Sequence, residues 1–279
     1  MPRSRSLRPL DTGLAKRSNL RRVPAQTEPA WIATFVAWSP LVPLAFLVYF
    51  SFRLWSLLSP MWPLARGEYA TARRGFERTT RFWLPSAARA SRYNVALCLE
   101  LEGRLAEAEA RARELLAEKM DERLAYAARS LLGTILVLRE HSLEEARALL
   151  DAVQAQIPTP LGALLLAHAH LGLGDHGGAA QHVAEALTMP QSPSQSGGGW
   201  KASLRFEPEL HRSMENFFRG WYFYKVGDLS RARIDFDLAC QSPLAHVCTA
   251  RARMMLASAS RPAFDVDDAP SSLSPYEFP

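Results

Sequence analysis

The sequence predicts an all-α protein in which a single transmembrane helix precedes an α-solenoid, that is, a stack of helix–turn–helix repeats. Three observations predict this fold. A long segment without any charged side chain covers residues 29–52. Amphipathic helical patterns then follow one another to about residue 260, without the strict alternation that is typical of β-strands. Within these patterns, a short turn followed five residues later by alanine recurs along the chain.

The chain begins with a basic segment, residues 1–30, that has few periodic apolar side chains. Two acidic residues there stand against seven basic ones, which are Arg3, Arg5, Arg8, Lys16, Arg17, Arg21 and Arg22. Because such a composition cannot bury a core, we expect a disordered tail close to the membrane. A mitochondrial transit peptide is the alternative, since N-termini rich in arginine and poor in acids serve as such signals.

Residues 31–53 are predicted to form one transmembrane helix. An α-helix over the apolar part of this segment would be about 33 Å long, which is enough to cross a hydrocarbon core of about 30 Å. Trp31 and Trp38 near one end and Tyr49 near the other suit the membrane interfaces. Prolines at positions 40 and 43 are tolerated as a kink in a membrane span. The alternative is a buried core helix of a soluble domain.

Residues 54–65 are apolar but short and marked by proline, so we interpret them as an interfacial connector to the first repeat. Basic residues near a span orient it, because they favour the cytoplasmic side. Within about 20 residues of the predicted span, the N-terminal side carries Lys16, Arg17, Arg21 and Arg22. The C-terminal side carries Arg53 and Arg66. This count favours a cytoplasmic N-terminus and a helical domain on the other side (N-in, C-out). Alanine, leucine and arginine are abundant, which suggests a bacterial source. We therefore expect a single-pass protein of the bacterial inner membrane, with a mitochondrial membrane as the alternative.

Residues 66–260 carry the repeats. The clearest copy is residues 216–243, where Gly227 and Asp228 separate two amphipathic helices whose small residues include Gly220 and Ala232. The same turn is followed five residues later by alanine at Gly67–Ala72, Gly103–Ala108, His141–Ala146, Gly174–Ala179 and Gly227–Ala232. The steps between these turns are 36, 38, 33 and 53 residues. The longest step contains a glycine- and serine-rich insertion loop at residues 190–208.

This spacing resembles the tetratricopeptide repeat, a helix–turn–helix unit of about 34 residues. The resemblance implies a solenoid in which the first helix of each repeat lines a concave groove that binds peptides or partner proteins. It places six residues in that groove, namely Tyr93, Ile135, His168, Phe217, Trp221 and Tyr224. The alternative for the aromatic residues is that they fill the core. We expect residues 243–259 to form one solvent-facing helix that caps the solenoid, and residues 261–279 to form a disordered tail.

Motifs for catalysis, cofactors or metals are weak. Residues 172–177 fit the pattern GxGxxG, but a helix-forming segment rather than a strand precedes them. His168 and His170 are two apart and point to nearly opposite faces of a helix, and nothing nearby completes a metal site. The three cysteines form no metal or redox spacing and are interpreted as buried thiols. We therefore predict no catalytic residue, no metal, no cofactor and no enzymatic activity. Beyond residue 30 the charge is nearly balanced, which argues against nucleic acid as a partner.

The expected function is that of a membrane-tethered scaffold, anchored in the lipid bilayer through residues 31–53, that binds a protein or peptide partner through the concave groove. Two alternatives remain. One is an obligate structural subunit of a larger membrane complex, and the other is a helical enzyme whose site carries no recognised motif. The identity of the partner and the oligomeric state stay open at this point.

Overall fold

The computed structural model describes residues 41–81, 84–189 and 206–259, and every regular element in these ranges is an α-helix. This confirms the all-α prediction for the described part of the chain. The predicted N-terminal tail, the first ten residues of the predicted span, most of the insertion loop (residues 190–205) and the predicted C-terminal tail lie outside the described residues. The chain divides into two compact units, Met1–Phe50 and Ser51–Pro279.

Helix α1 spans Leu41–Leu58 and is strongly apolar. A window within Pro43–Ala65 has a mean hydropathy of 1.4, and 6% of it is buried inside the protein. Large apolar side chains of α1 are exposed, among them Phe46 at 67% and Trp55 at 70%. Within the described residues, this is the one stretch that is long and apolar enough to cross a membrane.

Helix α1 continues five residues past the predicted end of the span at residue 53. Residues 54–58 belong to it, and a short helix, α2, follows at Met61–Ala65. Leucine is a good helix former, whereas Pro60 disfavours helical backbone at the residue before it. The segment interpreted as a connector is therefore mostly helical, and Ser59 and Pro60 separate its two helices.

The remaining helices lie between residues 69 and 188 and between residues 206 and 259. They are α3 (Tyr69–Thr79), α4 (Pro85–Leu101), α5 (Leu105–Leu116), α6 (Glu122–Leu138), α7 (Leu143–Gln156), α8 (Pro160–Gly172), α9 (His176–Thr188), α10 (Phe206–Lys225), α11 (Leu229–Cys240) and α12 (Val247–Ala259). Successive helices pack on each other from α2 to α9 and again from α10 to α12. In addition, α6 packs on both α4 and α8, and α10 packs on α8.

Four of the turns between paired helices use a left-handed glycine. Gly67, Gly103, Gly174 and Gly227 have φ between 78° and 86°. The residue after each glycine donates its backbone N–H to a carbonyl oxygen five residues earlier, as Asp228 does to Phe223 at 2.9 Å. This hydrogen bond is the Schellman motif, which ends a helix at a left-handed residue. Glycine suits the position because it has no Cβ to clash there.

The turn between α6 and α7 has the same hydrogen bonds without glycine. Glu140 takes the left-handed conformation with φ 50°, and the backbone N–H of His141 donates to the carbonyl oxygen of Leu136 at 3.2 Å. The left-handed residue is therefore one position before His141, on which the repeat was aligned from the sequence. Ser142, also at φ 50°, accommodates the extra residue before α7 begins.

Small residues lie where paired helices approach closely. The alanines five residues after the aligned turn positions have at most 2% of their surface exposed; they are Ala72, Ala108, Ala146, Ala179 and Ala232. On the facing helices, a Cβ added at Gly133 would lie 2.8 Å from the Leu150 side chain, and one at Gly220 would lie 2.9 Å from Phe236. The hairpins therefore depend on small side chains on both helices.

The central helices are buried on all sides. Residues 131–138 of α6 and residues 162–169 of α8 are eight consecutive buried positions each. A helix with no exposed face must be covered all round, so the domain has no open inner surface along these segments. Helix α10 contributes to this cover through its packing on α8.

Helix α12 is the one helix expected within residues 243–259, but one side of it lies in the core, which corrects the expectation that it faces solvent. Cys248, Thr249 and Ala252 have no exposed surface. The Nη1 atom of Arg251 donates a hydrogen bond to the carbonyl oxygen of Leu138, at the end of α6, over 2.7 Å. Helix α12 also packs on α4. The chain thus returns from its last hairpin to helices near its start.

Candidate functional site

A cleft of about 210 Å³ opens where α6, α8 and α10 meet, and it is the candidate functional site. Two residues that the sequence placed in the groove, His168 and Trp221, line it. The full lining is Val137, Glu140, Leu143, His168, Leu171, Gly172, Trp221 and Lys225. Polar and apolar groups therefore share the wall, which includes one acidic and one basic residue.

His168 is a structural residue of the cleft wall. Its ring stacks on the Trp221 ring, with 4.4 Å between centroids and 29° between planes. Its Nε2 atom lies 2.7 Å from the carbonyl oxygen of Phe218, so Nε2 carries the proton and donates it. Burial lowers the pKa of His168 to about 4, so that the ring is neutral near pH 7. The imidazole thereby holds α10 against α8.

Aromatic rings behind His168 complete this contact between helices. The Trp221 ring centroid lies 5.5 Å from that of Phe217 and 5.9 Å from that of Phe218. Trp221 is 4% exposed, and both phenylalanines are fully buried. Aromatic rings at these separations add to the apolar burial that fixes the helix. The cluster therefore serves packing first, and the edge of Trp221 is what reaches the cleft.

An ion pair lies among the cleft residues. The Nζ atom of Lys225 is 2.5 Å from an oxygen of Glu140, and it lies 5.6 Å from the centroid of the Trp221 ring. Both charged side chains are more than a third exposed, so solvent screens their attraction and a partner's charge can replace either of them. Glu140 is also the left-handed residue of the turn after α6.

The other predicted groove residues do not line the cleft. Ile135 and Phe217 are fully buried, which corrects their placement on a binding surface. The reason is that α6 and α10 are covered by the chain's own helices. Tyr93 is half-buried on α4 and packs against the core. Tyr224 is 37% exposed near the end of α10, with its ring 6.4 Å from that of Phe236.

Glu140 is one of the cleft residues that the sequence analysis did not single out. The signal for it was a spacing. Seven residues separate Gly133 from Glu140, as they separate Gly220 from Gly227. Anchoring the turn on the small helix residue instead of on His141 would have identified Glu140 as the residue in the glycine position.

Several other polar groups are buried away from the cleft. Burial raises the pKa of the Glu100 carboxyl to about 8 and that of the Cys98 thiol to about 12. It also raises the pKa of Cys248. Thiols in such surroundings stay protonated and are poor nucleophiles. Among the residues that the structure describes, no three metal-ligating side chains form a group.

Compared with models of protein families, with curated proteins and with solved structures, the chain matches none of them significantly.

Proposed function

We propose that this protein is a membrane-tethered scaffold of tetratricopeptide type that holds a protein or peptide partner. The recurring hairpin carries this proposal. Left-handed residues at positions 67, 103, 140, 174 and 227 are 36, 37, 34 and 53 residues apart, and three of these steps lie near the period of about 34 residues for this repeat. The shared turn hydrogen bonds and the buried alanines support the same assignment.

The cleft is the surface that this proposal assigns to the partner. Its volume of about 210 Å³ is smaller than the roughly 300–1,000 Å³ of sites for drug-sized ligands. It suits one side chain or one chain end of a larger partner. Leu143, Leu171 and Trp221 would contact an apolar group, and Lys225 and Glu140 would contact a polar one beside it. The partner of this proposal is therefore a polypeptide with an apolar residue next to a charged one.

The proposal includes no catalysis and no cofactor. The one histidine of the cleft donates its Nε2 proton to a backbone carbonyl and is neutral. Cys98 and Cys248 are fully buried.

Site-specific photo-crosslinking in the full-length protein, in its native membrane, tests the cleft. A photoreactive amino acid at Leu171, a half-buried cleft residue, is expected to give a discrete adduct with another polypeptide. The same amino acid at Leu187, which is 58% exposed on α9 and does not line the cleft, is the control. Equal adducts at both positions, or no adduct at Leu171, would exclude the cleft as the partner site.

The tether has its own test. The exposed apolar surface of α1 supports a bilayer as the second partner. The protein is then expected to stay in the membrane fraction after extraction with alkaline carbonate. Release into the supernatant would contradict the membrane-tethered part of the proposal.

A second candidate function is that of an obligate structural subunit of a membrane complex. The last hairpin, α10 and α11, has five large apolar side chains with more than a third of their surface exposed. They all lie within residues 224–238 and are Tyr224, Val226, Leu229, Ile234 and Leu238. Exposed apolar surface of this kind is often covered by another chain. A subunit would leave the membrane in mild detergent as part of a complex of fixed composition. A scaffold would leave it largely as a separate chain.

A further inference from the structure

A hollow of about 240 Å³ lies between α3 and the segment that follows α1. It is lined by Ser59, Pro60, Pro63, Thr71, Arg74, Gly75 and Arg78. The hollow begins at the residue directly after the apolar helix, and it shares no lining residue with the partner cleft. Whatever binds here would therefore bind at the C-terminal end of the candidate membrane span.

Residues 59–81 are basic, with five arginines and two glutamates. Arg73 is neutralised, because its guanidinium binds Glu77 at 2.7 Å and Glu102 at 3.0 Å. The other four arginines, Arg66, Arg74, Arg78 and Arg81, are exposed and form no ion pair with any residue in the described ranges. Later arginines such as Arg104, Arg113 and Arg219 do pair with carboxylates. Four arginines without an ion pair in the described part of the chain therefore lie within residues 66–81, in the segment nearest α1.

Two of these arginines face the hollow together. Arg74 and Arg78 are four residues apart on α3, and Thr71 lies three residues before Arg74, so the three share one helix face. Like charges at this spacing destabilise a helix slightly unless an anion lies between them. The hydroxyl group of Thr71 supplies a further donor at the same place. The Ser59 hydroxyl lies there as well and donates a long hydrogen bond, 3.5 Å, to the carbonyl oxygen of Ser56. This combination of planar guanidinium groups and hydroxyl donors suits a phosphate group.

Exposed tryptophans stand beside the basic residues. Trp62 is 65% exposed on α2, and the guanidinium carbon of Arg66 lies 5.8 Å from its ring centroid. Trp55 is 70% exposed on α1. Tryptophan is enriched at the headgroup level of membranes, and basic residues next to a span are attracted to anionic leaflets. The surroundings of the hollow therefore match a lipid headgroup better than an ion free in solution.

We propose that the hollow binds the phosphate of an anionic phospholipid headgroup, with Arg74 and Arg78 as its ligands and Ser59 and Thr71 as additional donors. Arg66, Arg81 and Trp62 would contact the surrounding membrane surface. The site would fix the first hairpin against the leaflet and thereby limit the motion of the helical unit about its tether. It rests on the membrane attachment in the proposed function and is independent of the partner cleft.

The test uses the full-length protein in detergent and native mass spectrometry to count bound lipids. Phosphatidylglycerol is expected to bind in preference to phosphatidylcholine. Arg74→Gln combined with Arg78→Gln should weaken phosphatidylglycerol binding by roughly tenfold or more, because each basic residue near the surface contributes to anionic-lipid affinity. Binding of phosphatidylcholine should not change.

Arg123→Gln combined with Arg233→Gln is the matched control. Both arginines are exposed, neither lines the hollow, and the change in net charge is the same. This pair is expected to leave phosphatidylglycerol binding within about twofold. If both double variants lose the same amount of phosphatidylglycerol binding, the loss comes from the change in net charge and the proposed site is overturned. Equal binding of the two lipids by the unchanged protein would overturn it as well.

Inorganic phosphate distinguishes a lipid from a free anion. Inorganic phosphate is added at the concentration at which phosphatidylglycerol saturates the protein, and it is expected not to displace the lipid. Displacement would assign the hollow to a soluble anion instead. Failure of this proposal is separable from failure of the proposed function. If the protein stays in the membrane after carbonate treatment but does not prefer phosphatidylglycerol, only the headgroup site is contradicted. If carbonate extracts the protein, the membrane tether, on which both proposals depend, is contradicted.

Discussion

Glu140 has two roles in the third turn, because it takes a left-handed backbone conformation and also pairs with Lys225 beside the cleft. A residue with a Cβ at φ 50° is strained by about 1–2 kcal/mol, and the four corresponding turns avoid this strain with glycine. The carboxylate that reaches Lys225 explains why a strained residue can be useful at this place. Strained backbone beside a cleft is typical of functional sites.

Two substitutions separate these roles. Glu140→Gly and Glu140→Ala both remove the carboxylate, but only the alanine variant keeps a Cβ in the left-handed conformation. We expect Glu140→Gly to be more stable than Glu140→Ala by about 1 kcal/mol in urea unfolding of the detergent-solubilised protein. His141→Gly compared with His141→Ala is the control, since His141 does not have positive φ. Equal stability of the two Glu140 variants would show that the turn carries no strain.

Glu100 makes stability depend on pH. It is 2% exposed, its Oε1 atom has no hydrogen-bond partner in the described part of the chain, and burial raises its pKa from 4.5 to about 8. Between these values the folded protein keeps a proton that the unfolded chain releases. The free energy of unfolding therefore falls as the pH rises, by at most about 1.4 kcal/mol per pH unit.

Glu100→Gln removes this titration. The variant is expected to gain stability over the natural protein at pH 8 and to lose this advantage near pH 4.5. Unfolding of both proteins at several pH values measures the difference between their free energies of unfolding. Contributions of other groups, such as His168 and His246, cancel in this difference. A difference that does not vary with pH would mean that Glu100 is not held in its protonated form.

At the scale of elements, α12 shows why the burial of a predicted helix can be missed from the sequence. Its residues mix small, polar and charged side chains without an apolar stripe. Those that are buried are small, so they give little signal in a hydrophobic pattern. The turns were easier to predict, because a left-handed glycine and an alanine at fixed spacing each have one strong physical reason.

Two alanines of α12 test its position. Ala252 has no exposed surface. Ala250 lies two residues earlier, on the nearly opposite face of the same helix, and is exposed. Ala252→Leu is expected to destabilise the protein by about 1–3 kcal/mol, because the core has no room for the added carbons. Ala250→Leu should change stability by less than about 0.5 kcal/mol. Equal effects in thermal unfolding would contradict the insertion of α12 into the core.

The candidate site was predictable only in part. The helical register identified His168 and Trp221 as residues of interest, and both line the cleft. The same register could not separate them from Ile135 and Phe217, because periodicity indicates which face of a helix is apolar but not which element covers it. The helices that provide the cover are distant in sequence.

At the scale of the whole molecule, the end of α1 changes the expected orientation in the membrane. For a span that ends at Leu58, the next 20 residues contain Arg66, Arg73, Arg74 and Arg78. A span of about 20 residues with this end leaves two basic residues, Arg21 and Arg22, within the same distance on its N-terminal side. The positive-inside rule then favours a cytoplasmic helical unit, which reverses the expectation from a span that ends at residue 53.

Cysteine labelling measures this orientation. In a variant whose three cysteines are replaced, a single cysteine in place of the exposed Arg123 is expected to resist a membrane-impermeant maleimide until the membrane is opened. A single cysteine in place of Ser4 should react in intact cells. The opposite labelling pattern would restore the N-in, C-out orientation.

The packing of α10 on α8 and of α12 on α4 also affects how a long peptide could bind. If the proposed repeat array also bound a long peptide along the first helices of its hairpins, α10 and α12 would compete with that peptide for the same surface. Because they are attached to the receptor, their effective concentration is high, and a free peptide must displace them. Its apparent affinity would be lowered in proportion to the small fraction of molecules in which they have detached. Under that proposal, detachment of α10 and α12 would open the surface to the peptide.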